Sequence, residues 1–280
     1  MNRRKMMQIN GVTYHVNFIG NGPKLVFFLH GFTGRGEIWE SVIPYINNND
    51  LYTFVLPDLL GHGLTDKPNE PKLYSMENTV NDLHEMIKSL TKEKVYLIGY
   101  SMGGRIALSY AITYPQRLQG LLLESASPGL KTEEERRSRQ KTDENLAKNI
   151  EKDGIEIFID FWTNIPLFES QKSLPVDKQK KVLQQRLQNE VTGLANSLRG
   201  IGTGSQPSYW EDLHSLRIPV TLVAGELDHK FVEVAKNMDS LLPLSKIIEI
   251  NKAGHAIHVE QSEKFGKIVS EFLLEQQKEE

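Results

Sequence analysis

Apolar and polar positions alternate along this chain on two different scales. Leu25 to Leu29, Tyr52 to Leu56, Val95 to Ile98, Leu121 to Leu123 and Val220 to Ala224 are short uncharged runs. Each ends at glycine, proline or a polar cluster, as expected of strands buried on both faces. Lys246 to Ile250 reads as one more strand. Between these runs the spacing becomes helical. Ser75 suits an N-cap for a helix to about Leu90, whose Val80, Leu83, Ile87 and Leu90 form one apolar stripe. Ile106, Ala107 and Tyr110 share a face after Met102, and Phe265, Ile268, Val269 and Phe272 do so in a helix from Ser262 to about Leu274. Near the start, Met7 to Ile9 and Val12 to Phe18 flank Asn10-Gly11, a strong hairpin signal. Residues from Glu275 to Glu280 are expected to fray. Strand–helix alternation of this kind predicts an α/β protein with a mostly parallel central sheet flanked by helices.

The alternation stops between Lys131 and about Arg199. This stretch is charged and helical, begins Thr132-Glu-Glu-Glu-Arg-Arg-Ser-Arg-Gln, and has Pro166 and Pro175 as its breakers. It reads as a helical cap (131–204) inserted into a core made of 1–130 and 205–280, lying over the strand ends. Gly200 to Gly204 follows no strand and lacks the third glycine of a dinucleotide fingerprint, so it carries no cofactor reading.

With 280 residues the chain is long enough for one large domain with a substantial core, and its 39% hydrophobic and 25% charged residues are ordinary for a globular protein. A net charge of -3 gives no global basic field, which argues against a nucleic-acid partner. The absence of cysteine excludes disulfides, thiol catalysis and cysteine-ligated zinc. The opening Met-Asn-Arg-Arg-Lys-Met is basic, but no apolar segment follows it, and no run is long enough to span a membrane. A cytoplasmic location, no membrane contact and a monomer or weak homo-oligomer are the expectations.

Candidate chemistry lies at the strand ends. Gly99-Tyr100-Ser101-Met102-Gly103 is the G-x-S-x-G pattern of a nucleophile elbow, with strand before it and helix after. His30-Gly31-Phe32-Thr33-Gly34 closes another strand, and its glycines let backbone N–H groups converge. Phe32 and Met102 are therefore the candidate oxyanion donors. His62, within Gly61-His62-Gly63, reads as bracing its loop. Asp228 and His255 follow two later strands, giving the chain order Ser101, Asp228, His255. In a parallel sheet those ends share one crevice. There His255 takes the serine proton and Asp228 orients and stabilises the imidazole. His255-x-x-His258 has a metal-like spacing but no accompanying carboxylates, so His258 reads as structural, and no metal or organic cofactor is expected.

These residues resemble the α/β-hydrolase superfamily over essentially the whole chain. Closer features are Gly-Tyr-Ser-Met-Gly-Gly-Arg at the elbow, Ser127-Pro128-Gly129-Leu130, Arg139-Gln140, Phe161-Trp162 and Gly225-Glu-Leu-Asp-His-Lys-Phe231. They resemble the 2-succinyl-6-hydroxy-2,4-cyclohexadiene-1-carboxylate synthases of menaquinone biosynthesis. The resemblance implies a lyase that eliminates pyruvate from 2-succinyl-5-enolpyruvyl-6-hydroxy-3-cyclohexene-1-carboxylate, with Ser101, Asp228 and His255 catalytic. It also implies that Arg105, Arg139, Tyr100, Trp162 and Lys230 contact the substrate. Residue chemistry agrees as far as charge goes. Arg105 sits about 6 Å along the helix from Ser101, and arginine pairs bidentately with carboxylates, so a small polycarboxylate is the natural ligand. Residue chemistry alone does not separate Arg139 from Arg136 and Arg137. It also leaves open a carboxylesterase, a carbon–carbon bond hydrolase or a small-molecule receptor on the same scaffold.

Overall fold

Eight strands form one sheet in the order β1-β2-β4-β3-β5-β6-β7-β8. The structure is a computed structural model and describes residues 2–47 and 49–275. The strands are β1 (Asn2–Ile9), β2 (Val12–Gly20), β3 (Lys24–Leu29), β4 (Tyr52–Pro57), β5 (Val95–Tyr100), β6 (Leu118–Glu124), β7 (Val220–Gly225) and β8 (Ser245–Ile250). From β4 through β8 every pairing is parallel, while β1 and β2 pair antiparallel. The mostly parallel α/β architecture expected from the pattern is thus the one observed. Asn10 and Gly11 both have positive φ, 48° and 84°, the backbone of a tight hairpin turn. Strand β1 begins at Asn2, five residues before the expected start at Met7, because pairing runs on to Asn2↔Ile19. The basic opening is part of an edge strand that the pattern of apolar residues does not mark.

Two apolar layers sandwich the sheet. One joins Phe27, Leu29 and Leu97 to Val80, Leu83 and Ile87 of α1 (Met76–Leu90) and Ile106, Ala107 and Tyr110 of α2 (Met102–Thr113). The other joins Phe28, Phe54, Tyr96 and Ile98 to Phe265, Ile268, Val269 and Phe272 of a C-terminal helix, Ser262–Glu275. Ser75 caps α1 as expected, its hydroxyl accepting from Asn78 N–H at 3.2 Å. Of the residues expected to fray, Glu275 is still the last residue of the C-terminal helix, and positions 276–280 lie outside the described residues.

Between β6 and β7 lie α3 (Glu133–Thr163), α4 (Val176–Leu187) and α5 (Val191–Ile201). Thr132 and Glu135 form a reciprocal capping box at the start of α3. The two prolines are not the only breakers. Gly154 (φ 82°, ψ 173°) bends α3 in a conformation essentially reserved for glycine. The segment after the bend turns Phe158 and Ile159 onto Leu194 and Leu198 of α5, with Trp162 packed against them. After β7 and β8 come α6 (His229–Asp239), α7 (Ile257–Glu260) and the closing α8 (Ser262–Glu275). No helix among the described residues is long and apolar enough to cross a membrane.

Candidate active site

Ser101 occupies the turn between β5 and α2 with φ 49° and ψ -108°, a strained backbone for a non-glycine residue. Its neighbours explain why the turn can be so tight. A Cβ on Gly103 would lie 2.2 Å from the Leu29 carbonyl oxygen, and one on Gly99 would lie 2.5 Å from the Gly103 oxygen. The Ser101 N–H donates to the Glu124 carbonyl at 2.9 Å, tying the elbow to the end of β6.

His255, buried after β8, stands with Nε2 3.0 Å from Ser101 Oγ and Nδ1 2.6 Å from Asp228 Oδ2. Since Nδ1–H donates to the carboxylate, Nε2 is left to accept the serine proton. Asp228 also caps α6, its other oxygen accepting from Phe231 N–H at 3.5 Å. One carboxylate thus serves as helix cap and as imidazole partner. Phe231 and Tyr100 lie 4.7 Å and 5.4 Å from the imidazole, ring centre to ring centre.

The loop after β3 crosses close to Ser101. A Cβ on Gly31 would come within 3.6 Å of the serine Cβ and 2.5 Å of Tyr100 Cε1. His30 holds this loop from within: Nε2 accepts the Leu59 N–H at 2.9 Å and Nδ1–H donates to Gly31 O at 2.8 Å. That arrangement requires a neutral ring, and burial lowers its pKa to about 4. His62 donates from Nδ1 to Leu60 O at 3.0 Å, and burial together with the nearby His30 lowers its pKa to about 3. Phe32 and Met102 therefore sit on two rigid turns flanking the serine, and Met102 opens a helix whose N-terminal N–H groups favour negative charge.

A cavity of about 400 Å³ opens from Ser101 and His255, and Phe32, Met102, Arg105, Arg139, Trp162 and Lys230 line it. Arg105 is 8% exposed and its Nη1 donates to Gln206 Oε1 at 3.1 Å. Burial, reinforced by the charge of Arg139 and only partly offset by that of Asp143, lowers its pKa to about 10, so it is a cation at neutral pH. Arg139 is held by Asp143, Nε to Oδ1 at 2.7 Å. Of the three neighbouring arginines Arg139 lines the cavity, whereas Arg136 bonds to the Leu130 carbonyl and Arg137 to Glu133. Trp162 meets Phe32 edge-on, 5.2 Å between centres. Tyr100 does not line this cavity. Its ring is buried between His255 and His258 and borders a separate space of about 30 Å³ together with Phe168 and Arg186.

The sheet topology, the elbow and the order of site residues agree with a match of residues 24–262 to the alpha/beta hydrolase fold family. A Photorhabdus laumondii protein named 2-succinyl-6-hydroxy-2,4-cyclohexadiene-1-carboxylate synthase is 32% identical over 265 residues, 92% of this chain and 87% of that one. A Bacillus subtilis protein provisionally given the same name is 48% identical, over 94% of this chain and 96% of its own. The chain belongs to this synthase family of the α/β hydrolases. Among solved structures, MenH from S. aureus superposes with a TM-score of 0.88 at 37% identity, covering 94% of this chain and 98% of that one.

Several residues of this synthase-family site escape the sequence pattern. Lys131 and Trp210 also line the cavity, with the ammonium 4.5 Å from the indole centre. Lys131 directly follows Ser127-Pro128-Gly129-Leu130, which is the one signal that marks it. Gln206 has no local signal, since it reaches Arg105 across 101 positions. His258 pairs with Glu124, Nδ1 2.9 Å from each carboxylate oxygen, and both side chains are fully buried. No cluster able to hold a metal ion occurs among the described residues.

Proposed function

We propose that the chain is a lyase that eliminates pyruvate from 2-succinyl-5-enolpyruvyl-6-hydroxy-3-cyclohexene-1-carboxylate, a step of menaquinone biosynthesis, and does so at Ser101, His255 and Asp228. The observation that carries this reading is Arg105. It is a buried cation one helical turn past the serine, and it makes no ion pair among the described residues. An esterase pocket for neutral substrates gains nothing from such a charge, whereas a carboxylate on the reacting ring would neutralise it.

In this mechanism His255 draws the Ser101 proton, and the serine oxygen removes the proton beside the succinyl ketone. The Phe32 and Met102 N–H groups stabilise the enolate oxygen as charge develops. The electron pair moves through the ring and the carbon–oxygen bond to the enolpyruvyl group breaks. The departing enolpyruvate takes up a proton and becomes pyruvate. Arg139, Lys230 and Lys131 add positive charge at the cavity wall, and Trp162 supplies an apolar face for the ring. Tyr100 acts from behind His255 as ring packing.

Within this reading residues 131–204 form the cap, and 1–130 with 205–280 the core. The enzyme works in the cytoplasm as a monomer or weak homo-oligomer, without cofactor or nucleic acid. Incubation with the enolpyruvyl substrate, with pyruvate followed by a coupled lactate dehydrogenase assay, tests the reaction. Release of pyruvate together with the cyclohexadiene product is expected. No pyruvate, with efficient cleavage of carboxylic esters instead, would assign the site to a hydrolase.

A further inference from the structure

Two arginines reach the cavity wall, and the protein treats their charges in opposite ways. Arg139 is neutralised by Asp143, a carboxylate buried to 2% exposure that also accepts the Gly204 N–H at 3.2 Å. Arg105 is deeper and its hydrogen-bond partner is an uncharged group, the Gln206 amide; the field of Asp143 reaches it, but the oxygens of that carboxylate are bonded to Arg139 and to Gly204 N–H. Gln206 is fully buried and is itself fixed: its backbone N–H donates to Gly202 O at 3.2 Å and its Nε2 donates to Ser127 O at 3.3 Å. Its amide oxygen is thereby aimed at the guanidinium, and the side chain stands behind Arg105 rather than in the cavity wall.

A glutamate has the same shape as glutamine and is the ordinary partner of a buried arginine. With glutamate there, the pair would be neutral before any ligand arrived. With glutamine there, the orientation of the guanidinium is kept and its charge is left for the ligand. We infer that Gln206 is a positioning and specificity residue that keeps the charge of Arg105 uncompensated, so that the cavity selects a polyanionic ligand. The other cations cannot substitute for it. Lys131 and Lys230 are exposed at the rim, where solvent and salt screen them, and Arg139 already has its carboxylate.

The inference deepens the proposed function and rests on it for the identity of the substrate, but its test does not depend on turnover. Binding of benzene-1,3,5-tricarboxylate to the full chain, measured by calorimetry, is compared in wild type, Gln206→Glu and Gln206→Met, with thermal melting as the check on folding. Gln206→Glu is expected to weaken binding roughly 10- to 100-fold, because the neighbouring guanidinium keeps the new carboxyl ionised and occupied. Gln206→Met leaves the charge of Arg105 free although both amide hydrogen bonds, to Arg105 and to Ser127 O, are lost, so on the charge reading its loss is expected to be smaller. A purely structural role gives the reverse order, since the methionine loses both amide hydrogen bonds while the glutamate keeps an acceptor. In turnover, Gln206→Glu is expected to raise KM more than it lowers kcat and to flatten the dependence of KM on salt. Binding by Gln206→Glu within threefold of wild type, a larger loss in Gln206→Met, or no binding of the tricarboxylate by wild type would each overturn the inference. A wild-type protein that binds the tricarboxylate with the expected contrast yet releases no pyruvate would overturn the proposed reaction alone.

Discussion

Asp228 Oδ2 lies 2.6 Å from His255 Nδ1, and both side chains are buried. The carboxylate fixes the tautomer that leaves Nε2 free to take the Ser101 proton, and in the proposed mechanism the three groups work as one unit. Asp228→Asn is expected to lower kcat for pyruvate release by roughly 10³- to 10⁴-fold, because the amide favours the wrong tautomer. Adding Ser101→Ala to that variant should cost little more. Steady-state kinetics of the single and double variants check this, and losses that multiplied would rule out a coupled unit.

A serine that only relays a proton forms no covalent intermediate. Intact-protein mass spectrometry during turnover is expected to show Ser101 unmodified. A trapped acyl adduct formed as fast as the overall reaction would move the site to hydrolase chemistry.

Arg105→Ala should remove charge-assisted hydrogen bonds worth roughly 1.5 to 3 kcal/mol, or about 10- to 200-fold in kcat/KM on the anionic substrate. Arg105→Lys should restore only part of this, because the ammonium lacks the planar fork. Cleavage of a small neutral ester serves as the comparison. Equal losses on both substrates would dissociate Arg105 from carboxylate binding.

His30 and His62 have folded-state pKa values lowered by burial from 6.5 to about 4 and about 3. Between those values and 6.5 the unfolded chain binds more protons, so stability rises with pH through this window and falls as pH drops below about 6.5. At pH 5 the loss relative to pH 7 is about 2 kcal/mol for each ring. Asp58, whose burial is outweighed by hydrogen bonds from His15 and from the Leu64 and Gly36 N–H groups, has its pKa lowered to about 2 and adds a further loss in stronger acid. Urea midpoints at pH 5, 6 and 7 check the prediction, and His62→Gln should flatten the slope. A midpoint unchanged between pH 7 and 5 would exclude the buried neutral rings.

The elements most legible in the sequence are those whose signal is local. Asn10-Gly11 needs only its own backbone to specify a turn, and the uncharged runs from Leu25 to Ala224 needed only burial on two faces. Ser101, Asp228 and His255 could be picked out because a parallel sheet brings successive strand ends to one crevice. What stayed hidden depends on distant partners. Gly154 looks like any helix-interior glycine until the bend in α3 is seen. Gln206 acquires its meaning only from Arg105. Glu124 seems a mere strand terminus, although it closes a fully buried pair with His258. Tyr100, adjacent to the serine in sequence, faces away from the main cavity because consecutive residues of an elbow point to different sides.

Strand β1 ends the sheet, and among the described residues no strand pairs with its outer backbone groups. An open edge of this kind is a template on which a second molecule can continue the ladder. Arg3, Arg4 and Lys5 are exposed along it, and the Arg3 and Lys5 head groups each lie 5.8 Å from the Phe18 ring centre on β2. Their stems shield an aromatic surface while their charges repel a like strand from another copy. Successive basic residues on an edge strand are among the devices that oppose edge-to-edge pairing.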